Sequence, residues 1–158
     1  SGTSIMNITI RRALRNEAEI LTDISLRSKQ SAGYDDDFMA ACRDELTISP
    51  EDIERKHYWV AETTHVCGVI GLDVEQGKDT AEVSSFFIDP AYKRQGIGRV
   101  MWQEIVEQAQ NLGLKSITLA SEPAAVPFYT AMGLRVVGEV PSGSIKGRVL
   151  PLMMLDLS

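Results

Sequence analysis

The chain has 158 residues, 44% apolar and 24% charged, enough for one domain (1–158) that buries a core without disulfides or metals. A formal net charge of −6 leaves no basic face of the kind nucleic acid needs, and no apolar run approaches the roughly 20 residues that cross a bilayer. Two distant cysteines, Cys42 and Cys67, and only two histidines, with no CxxC or HExxH spacing, speak against a disulfide framework or a metal site and for free thiols in the cytoplasm.

Residues 1–5, SGTSI ahead of Met6, read as a cloning remnant, and no signal-peptide core follows them. Alternation over 7–13 (NITIRRA) predicts a first strand. Ala18, Leu21 and Ile24 then recur at helical spacing over 16–28, with Asn16 as the expected N-cap. A second helix is expected over 36–45, and Ser49-Pro50 opens a short third one. Strands follow at 57–63 and 66–74, joined by a hairpin, and at 81–89. A long amphipathic helix over 96–111 ends at Gly113, followed by a strand at 115–121. A short helix over 124–132, a strand at 134–140 and a last strand at 148–157 complete the chain, with Pro151 suggesting an edge or a bulge in the last. The order β-α-α-β-β-β-α-β-α-β-β describes an α/β chain with a mixed sheet and packed helices.

The stretch "FIDPAYKRQGIGRVM" (87–101) stops a strand at a proline and starts the long helix through a basic, glycine-bearing loop. It lacks the GxxxxGK of a P-loop, and Met101 stands where GxGxxG wants its last glycine. Two readings stay open. Gly96 and Gly98 either allow a tight turn alone, or they let an anion reach the unpaired amides and positive dipole end of the helix. Lys93, Arg94 and Arg99 form a small cationic island there in an otherwise acidic chain.

"KRQGIG" (93–98) resembles the Q/R-x-x-G-x-G/A signature of the GNAT superfamily of acetyl-CoA-dependent N-acyltransferases. "FFIDPAY" before it looks like that family's fourth strand, and "VPFYTAMGL" (126–134) like its second motif about 30 residues on. The resemblance covers nearly the whole chain. It implies a GNAT-like sheet of about seven mostly antiparallel strands, with helices on both faces. Two positions depart from the pattern: Lys93 holds the Q/R place, and Glu122 stands where an asparagine is common.

The resemblance implies acetyl transfer from acetyl-CoA to a primary amine by direct attack in a ternary complex, with no metal. The backbone of Phe86, Phe87 and Ile88 would run beside the pantetheine. Lys93, Arg94, Gln95, Gly96, Ile97, Gly98 and Arg99 would hold the pyrophosphate. Tyr129 matches the tyrosine that protonates the leaving thiolate, and Glu82 is the candidate base acting through water. Glu82, Ser84 and Phe86 share one strand face by the period of two. Tyr34, Asp35 and Ser84 are the candidates on the amine side, where Asp35, Asp36 and Asp37 equally suit a helix start, and the loop 142–148 is the candidate for the opposite wall. The favoured acceptor is a small molecule; a peptide N-terminus or lysine is the alternative, and a non-catalytic acyl-CoA sensor is the rival from another class. A homodimer through an edge strand is also expected.

Overall fold

The structure is a computed structural model and describes residues 7–157; the SGTSI stretch read as a remnant lies outside the described residues. The strands are β1 (Thr9–Arg12), β2 (His57–Glu62), β3 (Val66–Val74), β4 (Thr80–Ile88), β5 (Ser116–Ala120), β6 (Arg135–Pro141) and β7 (Val149–Asp156). The helices are α1 (Ala18–Gln30), α2 (Asp36–Leu46), α3 (Pro50–Arg55), α4 (Ile97–Asn111) and α5 (Val126–Ala131). One seven-stranded sheet runs in the order β1-β2-β3-β4-β5-β7-β6.

Every neighbouring pair is antiparallel except β4 and β5. Parallel strands need a crossover, and α4 supplies it. That junction is short: Thr80 faces Ser116, Ala81 faces Ile117 and Glu82 faces Thr118, and pairing then stops. Beyond Glu82 the two strands part, so residues 83–88 border a wedge that opens toward the loop before α4.

Period-two alternation divides the core between the two faces. Ile70, Leu72, Ile117, Leu119 and Met153 point toward α4, which buries Ile97, Met101, Trp102, Ile105 and Ala109 against them. Each such large side chain contributes on the order of 1.5–3 kcal/mol. On the other face Tyr58, Val60 and Val69 meet Leu21 and Ile24 of α1 and Ile53 of α3.

One feature of β4 overturns a sequence expectation. Gly71 pairs with Ser85 but Leu72 pairs with Val83, so Ser84 is an extra residue, a β-bulge. The bulge shifts the alternation by one. Ser84 Oγ lies 3.5 Å from Tyr58 Oη on the α1 face, whereas Phe86 stacks on Trp102 on the α4 face, 5.9 Å between centroids. Ser84 and Phe86 therefore do not share a face.

Three smaller expectations also change. A 3-10 turn over Arg15–Glu17 precedes α1, so the N-cap position falls on Glu17 rather than Asn16; its carboxylate makes no cap bond to α1 and accepts instead from Leu14 N and the Arg11 guanidinium. The helix expected over 124–132 divides into a 3-10 turn, Pro123–Ala125, and α5, with Pro127 in its first turn. Pro151 is not on an edge, since β7 lies between β5 and β6, but a bulge does lie beside it: Val137 of β6 is an extra residue opposite the step from Met153 to Leu152. Its carbonyl accepts from Ser121 N (2.9 Å), just past the end of β5, where the ladder between β5 and β7 ends.

Candidate active site

The loop between β4 and α4 is built by its backbone. Asp89 ends the strand, accepts from Ala91 N (3.0 Å), and receives both terminal nitrogens of Arg27 on α1 at 2.9 and 3.0 Å. That fork holds the Asp89 carboxyl below the usual range. Arg94 (φ 64°) and Gly96 (φ 79°) are both left-handed, and Gly96 is the N-cap of α4. The first α4 bond runs from Val100 N to Gly96 O (3.2 Å). Among the described residues the N–H groups of 94–99 make no hydrogen bond. A run of unbonded amides at a helix N-terminus is an anion cradle by geometry and by dipole.

The side chains around it are sorted. Ile97 is buried and anchors the helix to the core, so only its amide is available. Lys93, Arg94, Gln95 and Arg99 are exposed, and Lys93 Nζ bonds Ser31 Oγ at the end of α1. A Cβ on Gly98 would meet Phe128 no closer than 3.7 Å, an ordinary contact, so packing alone does not require glycine there. A groove of about 370 Å³ continues from Arg99 along α4 past Trp102 and Val106 to Met132.

Phe128 links this loop to Tyr129. The Tyr129 ring packs against Phe128 (5.4 Å), Trp102 (5.7 Å) and Phe86 (6.3 Å) on the α4 side of the wedge. Burial pushes its phenol well above the ordinary value near 10, so it stays protonated throughout the neutral range. Trp102 Nε1 is buried with no hydrogen-bond partner among the described residues. Phe87 points the other way, into the α1 and α2 clusters.

The remaining sequence candidates separate. Glu82 is exposed at the closed end of the wedge, on a groove of about 320 Å³ shared with Asp73, Glu75 and Thr118. Asp35 accepts from Phe38 N (2.8 Å), the N-cap role of a helix start. Tyr34 stacks on Phe38 with centroids 4.0 Å apart, and its hydroxyl reaches Glu122 (3.1 Å). There it joins a group that sequence reasoning did not assemble. Lys29 of α1 pairs with Glu122, and Arg148, just ahead of β7, bonds both Glu122 (2.5 Å) and Tyr34 Oη (3.1 Å). Burial alone would raise the Glu122 carboxyl, yet its bonds from Lys29 and Arg148 hold it below the ordinary range. Arg148 belonged to the loop flagged as a wall and Glu122 was flagged as a departure; Lys29 carried no signal.

The helix side and the loop side also meet. Glu45 of α2 accepts from Ser144, and Ile145 packs on Met39, Cys42 and Leu46. Among the described residues no group of three or more His, Cys, Asp or Glu is placed to hold a metal, and no helix is long and apolar enough to cross a membrane.

The acetyltransferase (GNAT) family model matches residues 20–134, from α1 through α5. The chain belongs to the GNAT family. It is 32% identical over 154 residues to the peptidyl-lysine N-acetyltransferase YjaB of Salmonella typhimurium, covering 95% of this chain and 98% of that one. Its fold matches the PaiA N-acetyltransferase of Thermoplasma acidophilum in complex with coenzyme A, at TM-score 0.79 and 20% identity over 96% of this chain and 99% of that one. It also matches YncA of Salmonella typhimurium with its cofactor acetyl-CoA, at TM-score 0.70 and 22% identity over 96% and 95%. The chain is thus a GNAT N-acetyltransferase, and its sheet, opened between β4 and β5, is the fold those neighbours share.

Proposed function

We propose that this chain transfers the acetyl group of acetyl-CoA directly to a small-molecule primary amine. The observation that carries the reading is the run of unbonded amides at 94–99, placed beside a wedge whose α4 side holds Tyr129. Those amides, with Arg94 and Arg99, take the pyrophosphate, and Gly98 lets it approach without a Cβ in the way. Residues 86–88 border the wedge and guide the pantetheine arm inward.

In the transfer step the amine nitrogen bonds to the thioester carbonyl carbon and the carbon–sulfur bond breaks. Tyr129 donates its proton to the leaving thiolate and is reprotonated by the second proton that the nitrogen sheds on becoming an amide, and burial keeps the phenol protonated until it is needed. Glu82 takes the ammonium proton through water, from its exposed place at the closed end of the wedge. Cys42 and Cys67 are both buried and free, and burial raises the Cys67 thiol, so neither is poised to carry an acyl group. Two free thiols also suit a reducing cytoplasm.

A small acceptor is favoured because α2 and the loop before β7 are tied together over the amine side, by Glu45 with Ser144 and by the Ile145 cluster. The second reading, a peptidyl lysine, draws on the likeness to YjaB. The edge strand β6, with Val136 and Val137 exposed, suits pairing with a second copy, which sedimentation would detect. The test of function is release of free CoA across a panel of small amines and lysine peptides, with products checked by mass spectrometry. Turnover with small amines supports the proposal; turnover with peptides alone favours the second reading; binding of acetyl-CoA with no turnover favours a sensor.

A further inference from the structure

The ion cluster at the mouth of the wedge is not electrically complete. Lys29 and Arg148 are two cations, and Glu122 is the one carboxylate bonded to them. Of the acids nearby, Asp89 shares Arg27 with Asp23, and Asp35 caps α2; none of these is bonded to Lys29 or Arg148. The Tyr34 hydroxyl donates to Glu122 and accepts from Arg148, and it is neutral. Within this group of three charges, one positive charge has no carboxylate of its own.

The hydrogen-bond count shows the same imbalance. Both bonds of Arg148 leave from Nη2, so Nε and Nη1 make none among the described residues. Lys29 spends one bond on Glu122 although an ammonium carries three donors. These groups are not simply solvated: the Lys29 side chain is 15% exposed and that of Arg148 22%. Both cations also lie over the stacked Tyr34 and Phe38 rings, which fix their positions. Partly buried, held donors with spare hydrogens and spare charge call for an anion rich in acceptors.

Position says whose anion it is. Arg27 ties α1 to Asp89 at the end of β4, and Lys29, two residues on, reaches Glu122 beyond the end of β5. The cluster therefore spans the open mouth between the two strands, and it joins α1 to the segment before β7. It lies with Tyr34, Phe38 and Phe87 on the α1 and α2 side of the sheet, opposite the α4 side that holds Tyr129, and this is the amine side. We propose that Lys29, Tyr34 and Arg148, oriented by Glu122, form an acceptor subsite that selects amines carrying an anionic group, a carboxylate or a phosphate. The inference rests on the proposed amine acetylation and names its substrate class.

The test uses matched amines that differ in one anionic group: gamma-aminobutyrate against n-butylamine, glycine against glycinamide, phosphoethanolamine against ethanolamine. Two readouts are taken on the whole chain, kcat/KM for acetylation and the calorimetric Kd with CoA-saturated protein. The anionic member should lead by about tenfold or more in at least one pair, the size of one charge-assisted hydrogen bond. The carboxylate and phosphate pairs tell which anion is preferred. Arg148→Gln should reduce that ratio toward unity, raising the acceptor KM more than the acetyl-CoA KM. If this variant does not fold, Arg148→Lys, which keeps the charge and loses the planar fork, should still lower the ratio. Equal or better binding of the neutral member in every pair would overturn the subsite. So would a variant that weakens acetyl-CoA and leaves the preference intact, because the anion would then be the coenzyme's. Charge-selective binding without any turnover would support the subsite while telling against acetylation of these amines.

Discussion

Lys29, one residue before the end of α1, and Glu122, two residues past the end of β5, form an ion pair across the mouth of the wedge. Arg148 takes the other carboxylate oxygen, so a single acid holds together three segments distant in sequence. The Glu122 side chain is 26% exposed, which leaves partial screening. Glu122→Gln would keep the shape and leave two cations facing each other. It should cost about 1–3 kcal/mol, read as a fall of several degrees in thermal midpoint.

The pH dependence follows from the same carboxylates. Glu122, Asp89 and Glu17 all have folded pKa values held below the ordinary range by cationic partners. A depressed carboxyl contributes stability that is present above its unfolded pKa of about 4 and lost as pH falls toward the folded value. Unfolding free energy should therefore decline steadily below about pH 5. In Glu122→Gln the decline should be shallower, and an identical slope in chemical denaturation would show that Glu122 is not one of the responsible groups.

Tyr129 is the residue whose chemistry and packing can be separated. Removing only its hydroxyl leaves the ring against Trp102, Phe86 and Phe128. Tyr129→Phe should then fold normally and lose about 10²-fold in kcat, the scale of one general acid. Because burial raises the phenol, the wild-type rate should show no loss from its ionisation below about pH 10. An unchanged kcat in the variant would remove Tyr129 from the mechanism.

Gly71 sets the place of the bulge. A Cβ there would come within 2.5 Å of the Tyr58 ring and 2.8 Å of Ser84 Oγ, and the ring is 2% exposed with little room to yield. Gly71→Ala should cost about 1–3 kcal/mol by overpacking and should displace the bulged strand. Denaturant unfolding would measure the first effect, and a loss of activity larger than the loss of folded protein would report the second.

Local patterns were readable where local chemistry decides the structure. The Ser49-Pro50 start of α3, the glycine end at Gly113, and the run 66–74 that became β3 depend on neighbours in the chain. The glycine turn into α4 at Gly96 was readable for the same reason. The bulge at Ser84 was not, because a bulge exists only relative to a partner strand and the pairing of Leu72 with Val83 is nonlocal. That single extra residue moved Phe86 away from Ser84 and against Trp102. Pro151 marked the bulge beside it but not an edge, since strand order, unlike strand content, is set by tertiary packing. The Glu122 cluster joins residues 29, 34, 122 and 148, and no periodicity connects such positions.

The central claim is that the amides at 94–99 hold the acyl donor, and Gly98→Glu tests it most directly. The space at Gly98 admits a Cβ at 3.7 Å from Phe128, so the variant should fold with a stability change within about 1 kcal/mol. Its carboxylate would stand where the proposed cradle takes the pyrophosphate. Calorimetric titration with acetyl-CoA should show affinity weakened by roughly 10²-fold or more relative to the wild type, about 2.7 kcal/mol. A folded variant that binds acetyl-CoA as tightly as the wild type would contradict the account.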